Sequence, residues 1–216
     1  MNAAGRKERW MGQGRFQKYD HDGFTGEVRR DLAKALDDVR MQGLREEVFS
    51  AKEGLLAKGR HRVVVLDFRS EDRKVKIAVK AFGKQGGWKD RYDRERGSKA
   101  ARSFAAAIFL KEHGVGTPEP LAYFDRWEDG RLVESYYFSE YLDGLKSLKT
   151  ELDGVYSARG PADSLVGLLE KVGMSMRRMH DAGFCHRDLG NQNMEMAPRV
   201  GEEWGEVNFI DLNRGR

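Results

Sequence analysis

The sequence predicts an α+β protein in which an antiparallel sheet is built first and a helical region follows. Three observations lead there. Short alternating apolar runs are joined by tight-turn signals through the first two-thirds of the chain. A helix-period run from Tyr92 to His113 interrupts them and stops at Gly114. A second helix-period run, about Ala162 to Ala182, stops at Gly183 and is followed by polar loop chemistry.

Residues 1–26 are rich in glycine and charge without a clear period, which predicts a loose N-terminal arm. Asp20-His21-Asp22-Gly23 reads as a solvated turn, because the later ligands and closing glutamate of a calcium loop are missing. From Glu27 to Met41, Val28, Leu32, Ala35, Leu36 and Val39 recur at helical spacing and predict a short helix. Three strands are expected next, over residues 47–51, 62–68 and 75–82. In the last, Val75, Ile77, Val79 and Ala81 share one face, with Lys76, Ala78, Lys80 and Phe82 on the other. A charged turn, residues 69–74, joins the last two strands, and a basic loop, 83–89, leads into the long helix. Ala100, Phe104, Ala107, Ile108 and Leu110 mark the packed face of that helix. Pro118 and Pro120 then impose an extended segment. Strands over 121–127 and 132–141 flank Asp129-Gly130, a strong hairpin signal. A linker, 142–160, precedes the second helix. The expected organisation is an arm with a short helix (1–44), a five-stranded region (45–141), and a hinge, linker helix, loop and strand (142–216).

Composition narrows the class. Of 216 residues 34% are charged, and no apolar run approaches the ~20 residues of a membrane span. No apolar core follows the basic N-terminus, so no secretory signal is expected. The single cysteine, Cys185, excludes an internal disulfide and a cysteine zinc cluster and suits a reducing cytoplasm. A net charge of +4 favours an anionic partner.

The chemistry concentrates in His186-Arg187-Asp188-Leu189-Gly190-Asn191-Gln192-Asn193 and the strand-like Val207-Asn208-Phe209-Ile210-Asp211. Phosphoryl transfer needs a carboxylate to orient and deprotonate the incoming hydroxyl, and oxygen ligands to hold Mg²⁺ on the nucleotide phosphates. Asp188 suits the first task; Asn193, five residues on, and Asp211 suit the second. The octapeptide resembles the H-R-D-L-x-x-x-N signature of protein kinases, and Ile77-Ala78-Val79-Lys80 resembles the strand whose lysine pairs with the α- and β-phosphates of ATP. An edge-strand lysine facing water is the other reading of Lys80. Glu140-Tyr141-Leu142-Asp143-Gly144 resembles the hinge of kinase-like folds, where main-chain groups hold adenine. His180 and His186 read as structural hydrogen-bonders.

Leu212 and Asn213 stand where protein kinases carry Phe and Gly after the metal aspartate. Ile210-Asp211-Leu212-Asn213-Arg214 is instead similar to bacterial lipopolysaccharide kinases, the Kdo/heptose core-kinase family. So are Gly97-Ser98-Lys99-Ala100 and Gly114-Val115-Gly116-Thr117-Pro118-Glu119-Pro120. The resemblance spans roughly residues 45–216 and implies a protein-kinase-like fold that phosphorylates a sugar hydroxyl of the lipopolysaccharide core. It implies catalytic roles for Asp188, Arg187 (bracing the loop) and Lys80. Lys80, Glu140, Leu142, Asn193 and Asp211 would meet ATP, and Asn193 and Asp211 would hold Mg²⁺. The partners expected are ATP, a glycolipid or other hydroxyl acceptor, and the anionic inner face of the membrane as a peripheral contact, with no nucleic acid.

Three departures accompany the resemblance. No Gly-x-Gly-x-x-Gly loop precedes Lys80, and Gly54 and Gly59 are the only candidates. The helix glutamate that usually holds the lysine falls near Ser103, with Glu95 the nearest substitute. The sequence ends five residues after Asp211, so a truncated C-terminal lobe is expected. Two further readings stay open: a kinase for a protein, aminoglycoside or other small hydroxyl compound, and a non-catalytic nucleotide-binding protein.

Overall fold

In the computed structural model the chain divides into two compact units, Met1–Ala105 with Pro120–Tyr141, and Ala106–Glu119 with Leu142–Arg216. The structure describes residues 14–34, 36, 38–58, 61–70, 73–83, 88–157 and 162–215. The expected glycine Gly59 and residues 84–87 of the basic loop lie outside these.

The first unit is a sheet of seven antiparallel strands in the order β1-β2-β6-β7-β5-β4-β3. The strands are β1 (Phe16–His21), β2 (Phe24–Arg29), β3 (Leu55–Lys58), β4 (His61–Ser70), β5 (Arg73–Phe82), β6 (Pro120–Glu128) and β7 (Arg131–Glu140). Alternation puts Val28, Val64, Leu66, Phe68, Ile77, Val79, Phe124 and Phe138 on one face. There they pack with Leu32, Leu36 and with Met41, Leu44 and Val48 of helix α1 (Asp38–Ser50). The predicted faces of the Lys80 strand hold, with Ile77, Val79 and Ala81 buried and Lys76 exposed.

The N-terminal expectations need correction. Residues 16–29 form a hairpin and not an arm, turning through Asp22 (φ 52°) and Gly23 (φ 76°). Two successive positive φ values suit the twist of a two-residue hairpin loop, and Asp129 (φ 46°) and Gly130 (φ 72°) repeat the device between β6 and β7. β2 pairs with β6, so five expected strands become seven. The predicted helix over 27–41 and strand over 47–51 are replaced by β2, a 3-10 turn and α1. Met41, Leu44 and Val48, three and four residues apart, bury one helical stripe and override the strand-like Val48-Phe49 pair. The weak strand moves to β3.

The predicted helix over 92–113 is two helices, α2 (Trp88–Arg96) and α3 (Lys99–Glu112). Gly97 sits at φ 84°, and the Ser98 hydroxyl accepts the Ala101 N–H at 2.9 Å as an N-cap. In the first unit, Phe104 of α3 packs edge-on against Phe16 and at a tilt against Tyr123.

In the second unit the expected linker holds a short strand, β8 (Lys146–Ser147), and helix α4 (Leu148–Ser157). Helix α5 (Ala162–Asp181) follows, as predicted, then β9 (Met194–Met196) and β10 (Val207–Phe209). These short strands form an antiparallel sheet in the order β10-β9-β8. The extended segment after Gly114 lies along β10: Phe209 N–H donates to Gly116 O at 2.9 Å and Thr117 Oγ1 donates to Phe209 O at 2.8 Å. A Cβ on Gly116 would collide with the Val207 carbonyl, so only glycine allows that approach. Among the described residues no helix is long and apolar enough to cross a membrane.

Candidate active site

The loop that carries Asp188 is fixed from both ends. Upstream, α5 closes with Gly183 at φ 86°: Gly183 N–H bonds to His180 O at 2.8 Å and Phe184 N–H to Met179 O at 3.1 Å. This pair of bonds turns the chain sharply and satisfies the last helical carbonyls. Phe184 is buried and stacks on Phe109 at 6.0 Å. Two residues later His186, 4% exposed, uses both ring nitrogens. Nδ1 accepts the Asp188 N–H at 3.3 Å, and Nε2 donates to Ile210 O at 2.7 Å. An acceptor at Nδ1 and a donor at Nε2 specify one neutral tautomer.

Downstream, the loop closes on itself. Gly190 N–H bonds to Asp188 O at 3.0 Å, and Asn193 N–H bonds to Gly190 O at 2.9 Å. The Asn193 amide donates from Nδ2 to Asp188 O at 2.7 Å. β9 then pairs with β10, placing Phe209 opposite Met194, and Ile210 N–H bonds to Asn193 O at 3.0 Å. The ladder therefore sets the Asp188 loop and the Asp211 turn side by side.

Asp211 itself is left-handed, at φ 60° and ψ 46°. That region is unfavourable for a residue with a Cβ, although aspartate tolerates it better than most. Non-glycine strain of this kind concentrates at functional sites. The Asn213 amide donates to Asp211 Oδ1. The 3-10 turn Leu212–Arg214 then brings Arg214 to Asp188 Oδ2 at 3.3 Å, the two side chains being 62% and 50% exposed. A pair so open to water is worth about 1 kcal/mol at most, so it orients more than it stabilises.

The structure thus brings Asp188, Asn193 and Asp211 together in the second unit. Arg187, in the same loop, is exposed, and His186 and Asn193 both hydrogen-bond to the Asp188 backbone. Lys80 belongs to the first unit. It pairs across the sheet with Val63 and Tyr137, and its Nζ lies 5.3 Å from the Phe82 ring centre. Glu140 ends β7, and the chain passes to the second unit between Tyr141 and Leu142, with Tyr141 N–H bonded to Lys76 O at 3.1 Å. Ser103 is buried and its hydroxyl donates to Lys99 O at 2.9 Å within its own helix. Glu95 lies on α2, not on α3, and pairs with Arg91 at 3.3 Å.

The donor set suits Mg²⁺. Asn193 and Asp211 would offer oxygen ligands, since the amide nitrogen of Asn193 is committed to Asp188 O and leaves Oδ1 as its acceptor atom. Mg²⁺ on a nucleotide is held by one or two protein oxygens plus phosphates and water, so a pair of such ligands is enough. Among the described residues no group of three or more His, Cys, Asp or Glu side chains is placed to hold a metal.

The sequence profile of the lipopolysaccharide kinase (Kdo/WaaP) family matches residues 55–216. The chain belongs to that family. Its members are kinases, so this protein is a kinase. Among the solved structures similar to it is one described as WaaP in complex with acyl carrier protein. That likeness has a TM-score of 0.51 and 20% identity, and covers 83% of this chain and 70% of the other. It supports the kinase-like α+β fold. No curated protein sequence matches the chain.

The part that residue order did not reveal is the contact between Arg214 and Asp188. The Ile-Asp-Leu-x-Arg pattern marks Arg214, but only the β9–β10 pairing shows what its side chain meets.

Proposed function

We propose that this member of the family transfers the terminal phosphoryl group of ATP to a sugar hydroxyl of the lipopolysaccharide core. The observation that carries the reading is the hydrogen-bonded loop system that holds Asp188, Asn193 and Asp211 together inside the segment matched to the family. Asp188 orients the acceptor hydroxyl and takes its proton as the new O–P bond forms, with Oδ1, the oxygen not paired with Arg214, as the accepting atom. Asn193 and Asp211 hold Mg²⁺. When bound, that ion neutralises charge developing on the phosphate oxygens. Lys80 pairs with the α- and β-phosphates, and main-chain groups at Glu140 and Leu142 hold the adenine. A peripheral contact with the anionic inner membrane face fits a chain of net charge +4 acting on a glycolipid.

The test is transfer of label from γ-labelled ATP, with Mg²⁺, to purified lipopolysaccharide core, run beside a generic protein substrate and an aminoglycoside. Label on the core alone is expected. Label on the protein or the aminoglycoside but not on the core would replace the acceptor and leave the chemistry standing.

A further inference from the structure

A carboxylate that takes a proton from an acceptor hydroxyl lies beside the phosphoryl group that this hydroxyl attacks. Two anionic groups are then neighbours, and they repel each other unless a cation stands between them. The loop that follows Asp188 brings no such charge, because residues 189–193 are Leu, Gly, Asn, Gln and Asn. Among the described residues the cation paired with the Asp188 carboxylate is Arg214, at 3.3 Å from Oδ2.

The turn that presents Arg214 is held on both sides. Before it, Leu212 and Asn213 are buried, and the Asn213 amide donates to Asp211 Oδ1. After it, Gly215 N–H donates to Leu212 O at 2.9 Å. A Cβ on Gly215 would collide with the Phe184 ring, which is itself buried and stacked on Phe109. Glycine therefore lets the turn close against the residue that starts the Asp188 loop. The Arg214 side chain is treated differently. It is 62% exposed, and among the described residues the Asp188 carboxylate is its one polar contact. A guanidinium carries five N–H donors in a planar fork, so one carboxylate oxygen leaves donors for a second anion.

We propose that Arg214 is a catalytic residue supplied in cis, bridging Asp188 Oδ2 and an oxygen of the transferring phosphoryl group. This rests on the phosphotransferase role given to Asp188 above. The acceptor proton passes to Asp188 Oδ1 as the acceptor oxygen bonds to phosphorus. The bond from phosphorus to the β-phosphate oxygen breaks, and ADP leaves. Arg214 keeps its protons throughout and lends charge-assisted hydrogen bonds to the non-bridging oxygens. Its fixed main chain and open side chain suit a group that must reach substrate without a backbone movement.

The test follows the whole chain with γ-labelled ATP and Mg²⁺, with either water or purified lipopolysaccharide core as acceptor. Arg214→Ala should lower turnover roughly 10²-fold. Its melting temperature and ADP affinity should match wild type, because the ion pair is open to water and ADP lacks the transferred group. Affinity for ADP with aluminium fluoride, a stand-in for the transferring phosphoryl group, should fall with the rate. Arg214→Lys keeps the charge without the fork and should recover part of the loss, and it decides the matter if Arg214→Ala does not fold. Guanidinium ions below denaturing concentration should raise the Arg214→Ala rate where sodium chloride of equal ionic strength does not. Wild-type turnover in the variants would overturn the proposal. So would slowed turnover with unchanged affinity for ADP and aluminium fluoride, which would limit Arg214 to orienting Asp188. A wild-type chain that transfers phosphate neither to water nor to core would overturn the phosphotransferase reading, and this role with it.

Discussion

Asp188 and Asp125 are both aspartates that strand pairing puts in place, and the chain treats them in opposite ways. Asp188 sits on a loop with half its side chain in water, while its backbone is held by His186 and Asn193. Asp125 sits in the middle of a sheet, 5% exposed, with one oxygen unanswered. The first arrangement places hydrogen bonds on the backbone and leaves the carboxylate open to water and to Arg214. The second buries the carboxylate itself. The contrast separates a carboxylate whose main chain is fastened while its side chain meets water from one that the sheet encloses.

Variants can break or sharpen that contrast. After Asp188→Ala, described last, the largest effect is expected from Asp211→Gly, which keeps a residue at ease at φ 60° but removes the carboxylate. Turnover should fall roughly 10²–10³-fold with an unchanged melting temperature. A large stability loss would instead make Asp211 a structural residue. Next comes pH. The Asp125 carboxyl is raised from 3.8 to about 6 on folding, so the folded state holds this proton more tightly than the unfolded chain. Its contribution to stability is fully present below about pH 4 and is lost as pH rises through about 6, a change of roughly 3 kcal/mol. Asp125→Asn should flatten that part of the denaturation profile, and an identical slope in the variant would contradict the burial account. His186→Ala removes two hydrogen bonds that fasten the loop. It should cost about 2 kcal/mol in urea titrations and lower turnover without changing the nucleotide affinity. The smallest effect is expected at Gly183→Ala, about 1 kcal/mol, from placing a Cβ at φ 86°.

Local signals explain which parts of this molecule could be read from residue order. Gly114 and Gly183 end helices, and Asp129-Gly130 turns a hairpin, because positive φ is written into the residue type. The strands around Lys80 and Phe138 alternate because one face is core. The N-terminal hairpin was hidden because its strands gain their partner from β6, some hundred residues later. The break at Gly97-Ser98 lay inside the expected helix, whose packed positions from Ala100 to Leu110 all follow it, and α4 lay within an expected linker that holds Gly154. At the candidate site the residue types and spacing were legible in the octapeptide. Its fastening was not, since the Ile210 carbonyl and Arg214 reach the loop only through the β9–β10 ladder. Asp125 looked like any strand aspartate, because its burial comes from β2, α2 and α3 and not from its neighbours in sequence.

The most direct test of the central claim compares the wild-type chain with Asp188→Ala, measuring ATP affinity and Mg²⁺-dependent phosphoryl transfer to lipopolysaccharide core in parallel. ATP affinity within about twofold of wild type is expected, with turnover lower by roughly 10²–10⁴-fold. An Asp188→Ala protein that still transfers phosphate at the wild-type rate would contradict the role given to this loop.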